Sequence, residues 1–197
     1  MRAALLLAAV AALSAGAEEA RVRAGGTTEL LYVEPDGANV RARAIGGTSD
    51  ISAGQLIDRT GKKLGLAFPA GKAVDKLSLE AENKTSFKVK VAESKFSFSG
   101  IENKMNALAE QGTAPADICW YVLFSIIRAV ETATKQALEQ YPGLPVLCAG
   151  GVASNQLLRE TMIKTCGAVF AEPRFSTDNA MGVAILTWRL LQQEKQA

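Results

Sequence analysis

The clearest pattern of hydrophobic and polar positions lies between residues 29 and 45. Apolar residues alternate there with Arg41 and Arg43, so a strand over residues 39–45 would have one apolar and one cationic face. A second strand-like run covers residues 29–34, and the Pro-Asp-Gly sequence at 35–37 favours a tight turn between the two runs. The pattern predicts a β-hairpin.

Further elements are predicted along the rest of the chain. Start and stop residues predict helices at 50–64, 115–140, 154–166 and 178–193, the first capped by Thr48, Ser49 or Asp50. Shorter runs predict strands at 96–100, 144–149 and 168–171, with a short helix and loop between 66 and 95. Because strand, Gly-Gly and helix recur in this order, we expect an α/β fold with a mixed sheet.

The last predicted helix is apolar on nearly every side. Between residues 180 and 191 only Thr187 and Arg189 are strongly polar. A helix of this kind has to be covered on more than one face. We expect part of that cover to lie outside this chain.

The first 17 residues have two interpretations. Met1-Arg2, an apolar run to residue 13 and small residues at 15–17 follow the order of a secretory signal. The same run also predicts an Ala/Leu-rich helix, because Ala and Leu have high helix propensities. On this pattern alone both interpretations stay open, and we separate segment 1–24 from a domain over 25–197. No segment reaches the ~20 apolar residues of a membrane span, so no membrane partner is expected.

Composition limits the chemistry that the chain can perform. Of its 197 residues, 48% are hydrophobic and 21% are charged, and the net charge of +2 does not by itself indicate nucleic-acid binding. The chain has no histidine, which excludes Ser-His-Asp and Cys-His nucleophiles and imidazole metal ligands among its own residues. Cys119, Cys148 and Cys166 form no Cys-x-x-Cys pair, which is typical of small buried residues in a reducing cytosol.

A first Gly-Gly sequence precedes the predicted hairpin. Gly25, Gly26 and Thr28 belong to a Gly-Gly-Thr-Thr run in which backbone amides and hydroxyls can approach a phosphate closely. The alternative is an ordinary turn, since Gly-Gly turns are common.

A second Gly-Gly sequence follows the predicted strand at 144–149. Gly150 and Gly151 permit close approach of a ligand, and the helix that follows favours anions at its N-terminus. The alternative is a tight turn in which Ser154 or Asn155 only caps the helix, and on this motif alone we favour that alternative.

Two aspartates are further candidates. Asp178, at the start of the last predicted helix, would bind a metal or simply cap that helix. Asp58 would bind a ribose or acyl group, or would pair with Lys62 one turn later. A basic face is formed by Arg21, Arg23, Arg41 and Arg43. It would bind RNA phosphates, or it would simply be a solvated face of the sheet.

The order of these motifs along the chain indicates a particular protein family more specifically than any single motif does. They lie at 25–31, 47–58, 64–71, 96–100, 150–155 and 177–181. In this sequence and spacing they resemble the TsaD (Gcp-type) family of tRNA threonylcarbamoyladenosine synthases, whose older name is O-sialoglycoprotein endopeptidase. The resemblance covers essentially residues 25–191.

The resemblance implies an actin-like ATPase (ASKHA) fold of two lobes, of which this chain would hold mostly the C-terminal lobe, with the N-terminal lobe largely missing. It implies transfer of a threonylcarbamoyl group from threonylcarbamoyl-adenylate to a tRNA adenosine beside the anticodon. It also implies a divalent metal (iron, zinc or magnesium) ligated by Asp178. The adenine nucleotide or adenylate would be bound by Gly25, Gly26, Thr28, Asp58, Gly71, Gly150, Gly151 and Asn155.

The chain also departs from the family pattern. The family's acidic first strand and its two metal-binding histidines are absent, and Ala70 replaces a glycine. The segment at 1–13 resembles the stretch that follows those histidines, and this resemblance favours the helix over the secretory signal. Residues 21–24 replace the apolar strand that leads into Gly-Gly in the family. Because one carboxylate is a poor metal site, we expect metal binding to be weak or absent.

These departures leave two functions open. The first is a cytoplasmic threonylcarbamoyltransferase, impaired as a lone chain. The second is a non-catalytic, degenerate paralogue that binds a nucleotide or docks on a partner. Expected partners are tRNA, a TsaB-like paralogue, or a second copy associating through the apolar terminal helices. A secreted α/β domain follows only if residues 1–17 are a signal peptide.

Overall fold

The computed structural model describes residues 4–9, 27–37, 39–172, 185, 187–189, 191 and 192. Its strands are β1 (Ala4–Ala9), β2 (Glu29–Asp36), β3 (Asn39–Thr48), β4 (Lys95–Phe96), β5 (Val146–Gly150) and β6 (Val169–Phe170). Its helices are α1 (Ala53–Lys63), α2 (Gly71–Ser78), α3 (Ser99–Glu110), α4 (Pro115–Gln140) and α5 (Gln156–Cys166), with a 3-10 turn over Gly151–Ser154. Residues 185, 187–189, 191 and 192 are also helical.

The six strands form one mixed sheet in the order β4-β3-β2-β1-β5-β6. β2 runs antiparallel to both of its neighbours, whereas the β1–β5, β5–β6 and β3–β4 pairs are parallel. Five strands therefore end at the same side of the sheet, where β2 begins; we name this side the carboxyl edge. In open α/β sheets ligands bind outside the carboxyl ends of the strands, so we expect a ligand site at the carboxyl edge.

The beginning of the chain corrects a prediction. The expected helix over residues 1–13 is wrong for residues 4–9, which form strand β1 between β2 and β5. Pairing of the backbone on both sides outweighs the helix propensity of Ala and Leu, and a continuous apolar run is typical of a central strand. The prediction that residues 21–24 replace an apolar strand before Gly25 concerns residues that the structure does not describe. Residues 10–24 fall outside the described residues.

Several other predictions are confirmed with adjusted ends. The hairpin is β2–β3, and α4 has the predicted bounds of 115–140. The N-cap of α1 is Ser52 instead of Thr48, Ser49 or Asp50, and Ser52 forms a reciprocal capping box with Gln55. The strand predicted at 96–100 stops at Phe96, because helix α3 begins at Ser99 and was not predicted.

Helix α4 is the centre of the hydrophobic core. It contacts α1, α2, α3, α5 and strand β3. Residues four apart on α4 form a buried stripe, as expected for one face of a helix: Ile118, Val122, Ile126, Val130. Among the described residues, no helix is long and apolar enough to cross a membrane.

Gly46 allows strand β3 to approach the segment before β4 closely. A Cβ at this position would lie 2.4 Å from the carbonyl oxygen of Ser94. The neighbouring Gly47 amide donates to that same oxygen at 2.8 Å, which fixes the approach. The contact therefore tolerates no side chain.

We expect Gly46→Ala to lower the free energy of unfolding by about 1–3 kcal/mol, the usual cost of overpacking. Urea denaturation followed by circular dichroism measures the change. Gly54→Ala is the matched control, since its Cβ would meet nothing closer than 3.9 Å and would lie within helix α1. That variant is expected to be at least as stable as the parent chain. Equal stability of both variants would contradict the close contact.

Candidate functional site

Thr28 joins three elements at the carboxyl edge. Its buried hydroxyl oxygen accepts from the amide of Ala53 at 2.9 Å, at the start of α1. Its carbonyl oxygen accepts from the amide of Thr48 at 2.9 Å, at the end of β3. Thr28 thus fixes the entry into β2. The neighbouring glycines predicted for the phosphate, Gly25 and Gly26, lie outside the described residues.

Asp58 fixes the turn between α1 and α2. Its Oδ1 accepts from the amide of Ala70 at 2.9 Å, one residue before Gly71 begins α2. The predicted alternative, an ion pair with Lys62, is wrong: the described residues contain no such contact. Its second oxygen has no hydrogen-bond partner within the described part of the chain and is free to accept from a ligand.

The second Gly-Gly sequence turns the chain sharply after β5. Gly150 has φ of +107°, a conformation that residues with a Cβ rarely adopt, and Gly151 opens the 3-10 turn. A Cβ on Gly151 would meet nothing within 4 Å, so the backbone there is open to a ligand. The turn contacts the N-terminal part of α1, where Val152 lies next to Gly54.

Asn155 has two contacts. Its side-chain oxygen accepts from the amide of Leu158 at 2.7 Å and caps α5, as the simpler interpretation of this motif predicted. Its side-chain amide also donates to Oδ1 of Asp75 on α2. Asn155 is buried, so this second contact has little competition from water. It therefore links α2 to the turn after β5.

Asp75 was not predicted from the sequence. Burial raises the pKa of this carboxyl, and the hydrogen bond from Asn155 opposes that rise in part. The available signal was its position on α2, one helical turn after Gly71. The structure thus places two polar contacts along α2. Asp58 accepts from the amide of Ala70, just before Gly71, and Asp75 accepts from Asn155 one turn further along the helix.

A second polar cluster, also missed, follows β3 and β4. Asp50 accepts from the amides of Phe98 at 2.9 Å and Ser99 at 3.0 Å, and from the hydroxyls of Ser97 at 2.5 Å and Thr48 at 2.9 Å. Burial disfavours the charged form, but these hydrogen bonds outweigh it and hold the pKa of the Asp50 carboxyl well below its usual range. Asp50 thereby caps α3 from a distant part of the chain.

The described residues do not form the metal site that the resemblance implied. The whole chain has no histidine. Among the described residues, no group of three His, Cys, Asp or Glu side chains could hold a metal ion. The predicted ligand Asp178 lies outside the described residues. The donor set available here does not fit a divalent metal, which needs several oxygen or nitrogen ligands.

The mixed sheet with its packed helices is an α/β fold, and its structural neighbours are proteins of the actin-like ATPase type. HypF from T. kodakarensis matches with a TM-score of 0.57 and 22% identity, covering 78% of this chain and 21% of that one. The activator of 2-hydroxyisocaproyl-CoA dehydratase from Clostridium difficile, with bound ADPNP, matches with a TM-score of 0.56 and 13% identity, covering 98% of this chain and 63% of that one. These likenesses show the fold alone.

The chain belongs to the TsaD family, described as tRNA N6-adenosine threonylcarbamoyltransferase, whose model matches residues 5–185. The enzyme of that name from Enterococcus faecalis is 36% identical over 147 residues, covering 70% of this chain and 41% of the relative. The one from Streptococcus thermophilus is 34% identical over 173 residues, covering 82% and 50%. The family resemblance is confirmed, and the chain spans about half the length of these relatives.

Proposed function

We propose that this chain provides the adenosine-binding part of a tRNA threonylcarbamoyltransferase. The observation that carries the proposal is the contact between Asp75 and Asn155, which joins α2 to the turn after β5 in a chain of the TsaD family. The free oxygen of Asp58 and the open backbone at Gly151 support it, because each can form a hydrogen bond with a ligand. Carboxylate oxygens accept from ribose hydroxyls, and the amide of Asn155 holds one carboxylate in place.

The expected reaction needs no protein nucleophile. The exocyclic amine of a tRNA adenosine attacks the carbonyl carbon of threonylcarbamoyl-adenylate and forms an N–C bond. The C–O bond to the phosphate breaks, AMP leaves with the electron pair, and the amine loses a proton. Because the leaving group is good, the protein contributes mainly by positioning the two reactants. This suits a chain without histidine.

The proposal assigns no step to a metal. Iron, zinc or magnesium remains an expectation from the family, with Asp178 as its ligand, and the described residues do not complete such a site. Neutralisation of the adenylate phosphate would then depend on groups outside the described residues. The phosphate-side roles of Gly25 and Gly26, which lie outside the described residues, stay predictions, and so does that of Thr28.

A non-catalytic nucleotide-binding or docking module is the second candidate. The observation that favours it is the set of large apolar side chains left exposed in the helical residues near the C-terminus, Ile185, Trp188 and Leu191. Such side chains are typical of a surface that contacts a partner, such as a TsaB-like paralogue or a second copy. A transfer assay with threonylcarbamoyl-adenylate and tRNA separates the candidates, because only the first predicts modified tRNA.

The test of the proposal is calorimetric titration with AMP, using Asn155→Ser. Serine keeps an oxygen that can cap α5 but is too short to donate to Asp75, so the helix cap is retained while the contact is lost. We expect affinity for AMP to fall about tenfold or more, as for loss of one buried hydrogen bond. Asn103→Ser, the same change at an exposed position of α3, is the control and should bind as the parent does. Absence of AMP binding by the parent, or equal binding by both variants, would contradict the proposal.

A further inference from the structure

Phe68 has an unusual position for a large aromatic residue. It is 83% exposed, more than any other large hydrophobic side chain in the part of the chain that the structure describes. It lies in the turn between α1 and α2, two residues before Ala70. Exposure of a phenylalanine to water is unfavourable, by roughly 25 cal/mol for each Å² of apolar surface. This position therefore needs an explanation other than packing.

The turn that carries Phe68 is held firmly, so its exposure does not follow from a loose loop. Asp58 accepts from the amide of Ala70 at 2.9 Å, and the amide of Leu66 donates to the carbonyl of Gly61 at 2.8 Å. Ala70 is buried and packs so closely on Gly61 that a Cβ there would lie 2.1 Å from the Ala70 Cβ. The backbone on either side of Phe68 is fixed against α1, and the ring is presented outward.

The helix that follows carries two cations without acidic partners. Lys72 and Lys76 lie one turn apart on α2, and both are exposed. Neither forms an ion pair within the described residues. The one acidic side chain of α2, Asp75, is instead bonded to Asn155. The exposed side of α2 therefore carries two positive charges, and the exposed Phe68 precedes this helix by three residues. We name Phe68, Lys72 and Lys76 the α2 face.

We propose that the α2 face binds the RNA substrate, with Phe68 stacking on an unpaired base and the two lysines facing phosphates. The inference rests on the proposed function, which requires an adenine base to reach the adenylate held near Asp58, Asp75 and Asn155. A base that leaves its stack to react loses stacking energy, and an aromatic side chain at the entrance restores part of it. Unpaired lysines beside stacking aromatics are the usual composition of surfaces that bind single-stranded nucleic acid.

The first test uses an RNA stem-loop in which 2-aminopurine replaces the adenosine beside the anticodon, added to the full chain without any nucleotide. Binding to the parent protein is expected to quench the fluorescence of 2-aminopurine, because the base stacks on Phe68. Phe68→Ser should weaken binding about tenfold and remove the quenching, whereas Phe68→Trp should retain both. Ile163→Ser, which changes an exposed apolar residue on α5, is the matched control and should leave both unchanged.

The second test concerns the lysines. Replacing Lys72 and Lys76 together by glutamine is expected to reduce the slope of log K against log salt by about 1.4, from two lost phosphate contacts on a single strand. The control pair is Lys104→Gln with Lys164→Gln, which removes the same charge from exposed positions of α3 and α5. An equal reduction of this slope in both pairs would mean that the RNA is attracted generally to the positive charge of the protein. It would overturn the assignment of the α2 face.

Failure of this inference is separable from failure of the proposed function. One outcome is that Phe68→Ser binds the RNA and quenches 2-aminopurine as Ile163→Ser does, while Asn155→Ser loses affinity for AMP. The adenosine site then stands, and the α2 face does not bind RNA. If RNA binding depends on Phe68 but the parent does not bind AMP, the surface assignment stands and the adenosine site is wrong. Because Phe68 is exposed, its replacement is not expected to disturb folding, and melting curves of the variant check this.

Discussion

Replacing Phe98 by alanine is expected to lower the free energy of unfolding by about 3–5 kcal/mol, a large share of the 5–15 kcal/mol of a typical domain. Phe98 is completely buried between β4 and α3 and lies against Phe96, with 5.0 Å between the ring centroids. Its removal leaves a cavity and also ends the contact between the two rings. Urea denaturation followed by circular dichroism measures the loss.

The chain provides a matched control for this change. Phe68→Ala removes the same atoms from a side chain that is 83% exposed, so its cost should stay within about 0.5 kcal/mol. A cost for Phe98→Ala no larger than that for Phe68→Ala would show that the segment between β4 and α3 is not packed as described.

Replacing Asp50 by alanine is expected to cost about 2 kcal/mol, the upper end for loss of a helix cap. The carboxylate accepts from two amides at the start of α3, from the amide of Ile51 and from the hydroxyls of Ser97 and Thr48. The two α3 amides lose this partner, whereas the Thr48 hydroxyl can still donate to the carbonyl of Ile51. Asp36→Ala is the control, because Asp36 is exposed and its side chain, among the described residues, makes only a surface ion pair with Arg41. It should change stability by no more than about 0.5 kcal/mol.

The same site predicts a dependence on pH. The pKa of Asp50 is lower in the folded chain than in the unfolded one, so its contribution is present above the unfolded pKa and is lost as pH falls through the acid range. The difference in unfolding free energy between the parent and Asp50→Ala should therefore be constant near neutral pH and should shrink below about pH 4. A difference that grows on acidification would contradict a hydrogen-bonded carboxylate. Comparing the two proteins removes the contribution of Asp75, whose raised pKa acts in the opposite direction.

Local signals predicted the elements whose causes are local. The turn at 35–37, the stop after α4 and the cap at Asn155 all depend on residues within a few positions of each other, and each was found where the sequence indicated. The predicted helix at the start failed, because the conformation of Ala4–Ala9 is decided by strands that begin at residues 29 and 146. The intrinsic propensities of residues 4–9 carry no information about pairing with these distant strands.

The candidate site was also predicted only in part, because several of its residues were found from the sequence but their distant contacts were not. The family motifs identified Asp58, Gly71 and Asn155, but not what these residues touch. Asp75 was missed because its partner Asn155 lies 80 positions away. Asp50 was considered only as a local cap, since its main donors are 47 to 49 positions distant. Side-chain contacts of this range require the folded sheet, which brings the ends of its strands together.

Strand β1 has a consequence for how the chain folds during its synthesis. Its parallel partner β5 begins at Val146, so the ribosome must add about 140 residues before the two can pair. At the usual elongation rates of about 5–20 residues per second, this interval lasts roughly ten seconds. During that time the apolar Ala4–Ala9 segment can pair only with the β2–β3 hairpin and keeps one edge unsatisfied. We therefore expect the nascent chain to depend on chaperones until β5 has left the ribosomal tunnel.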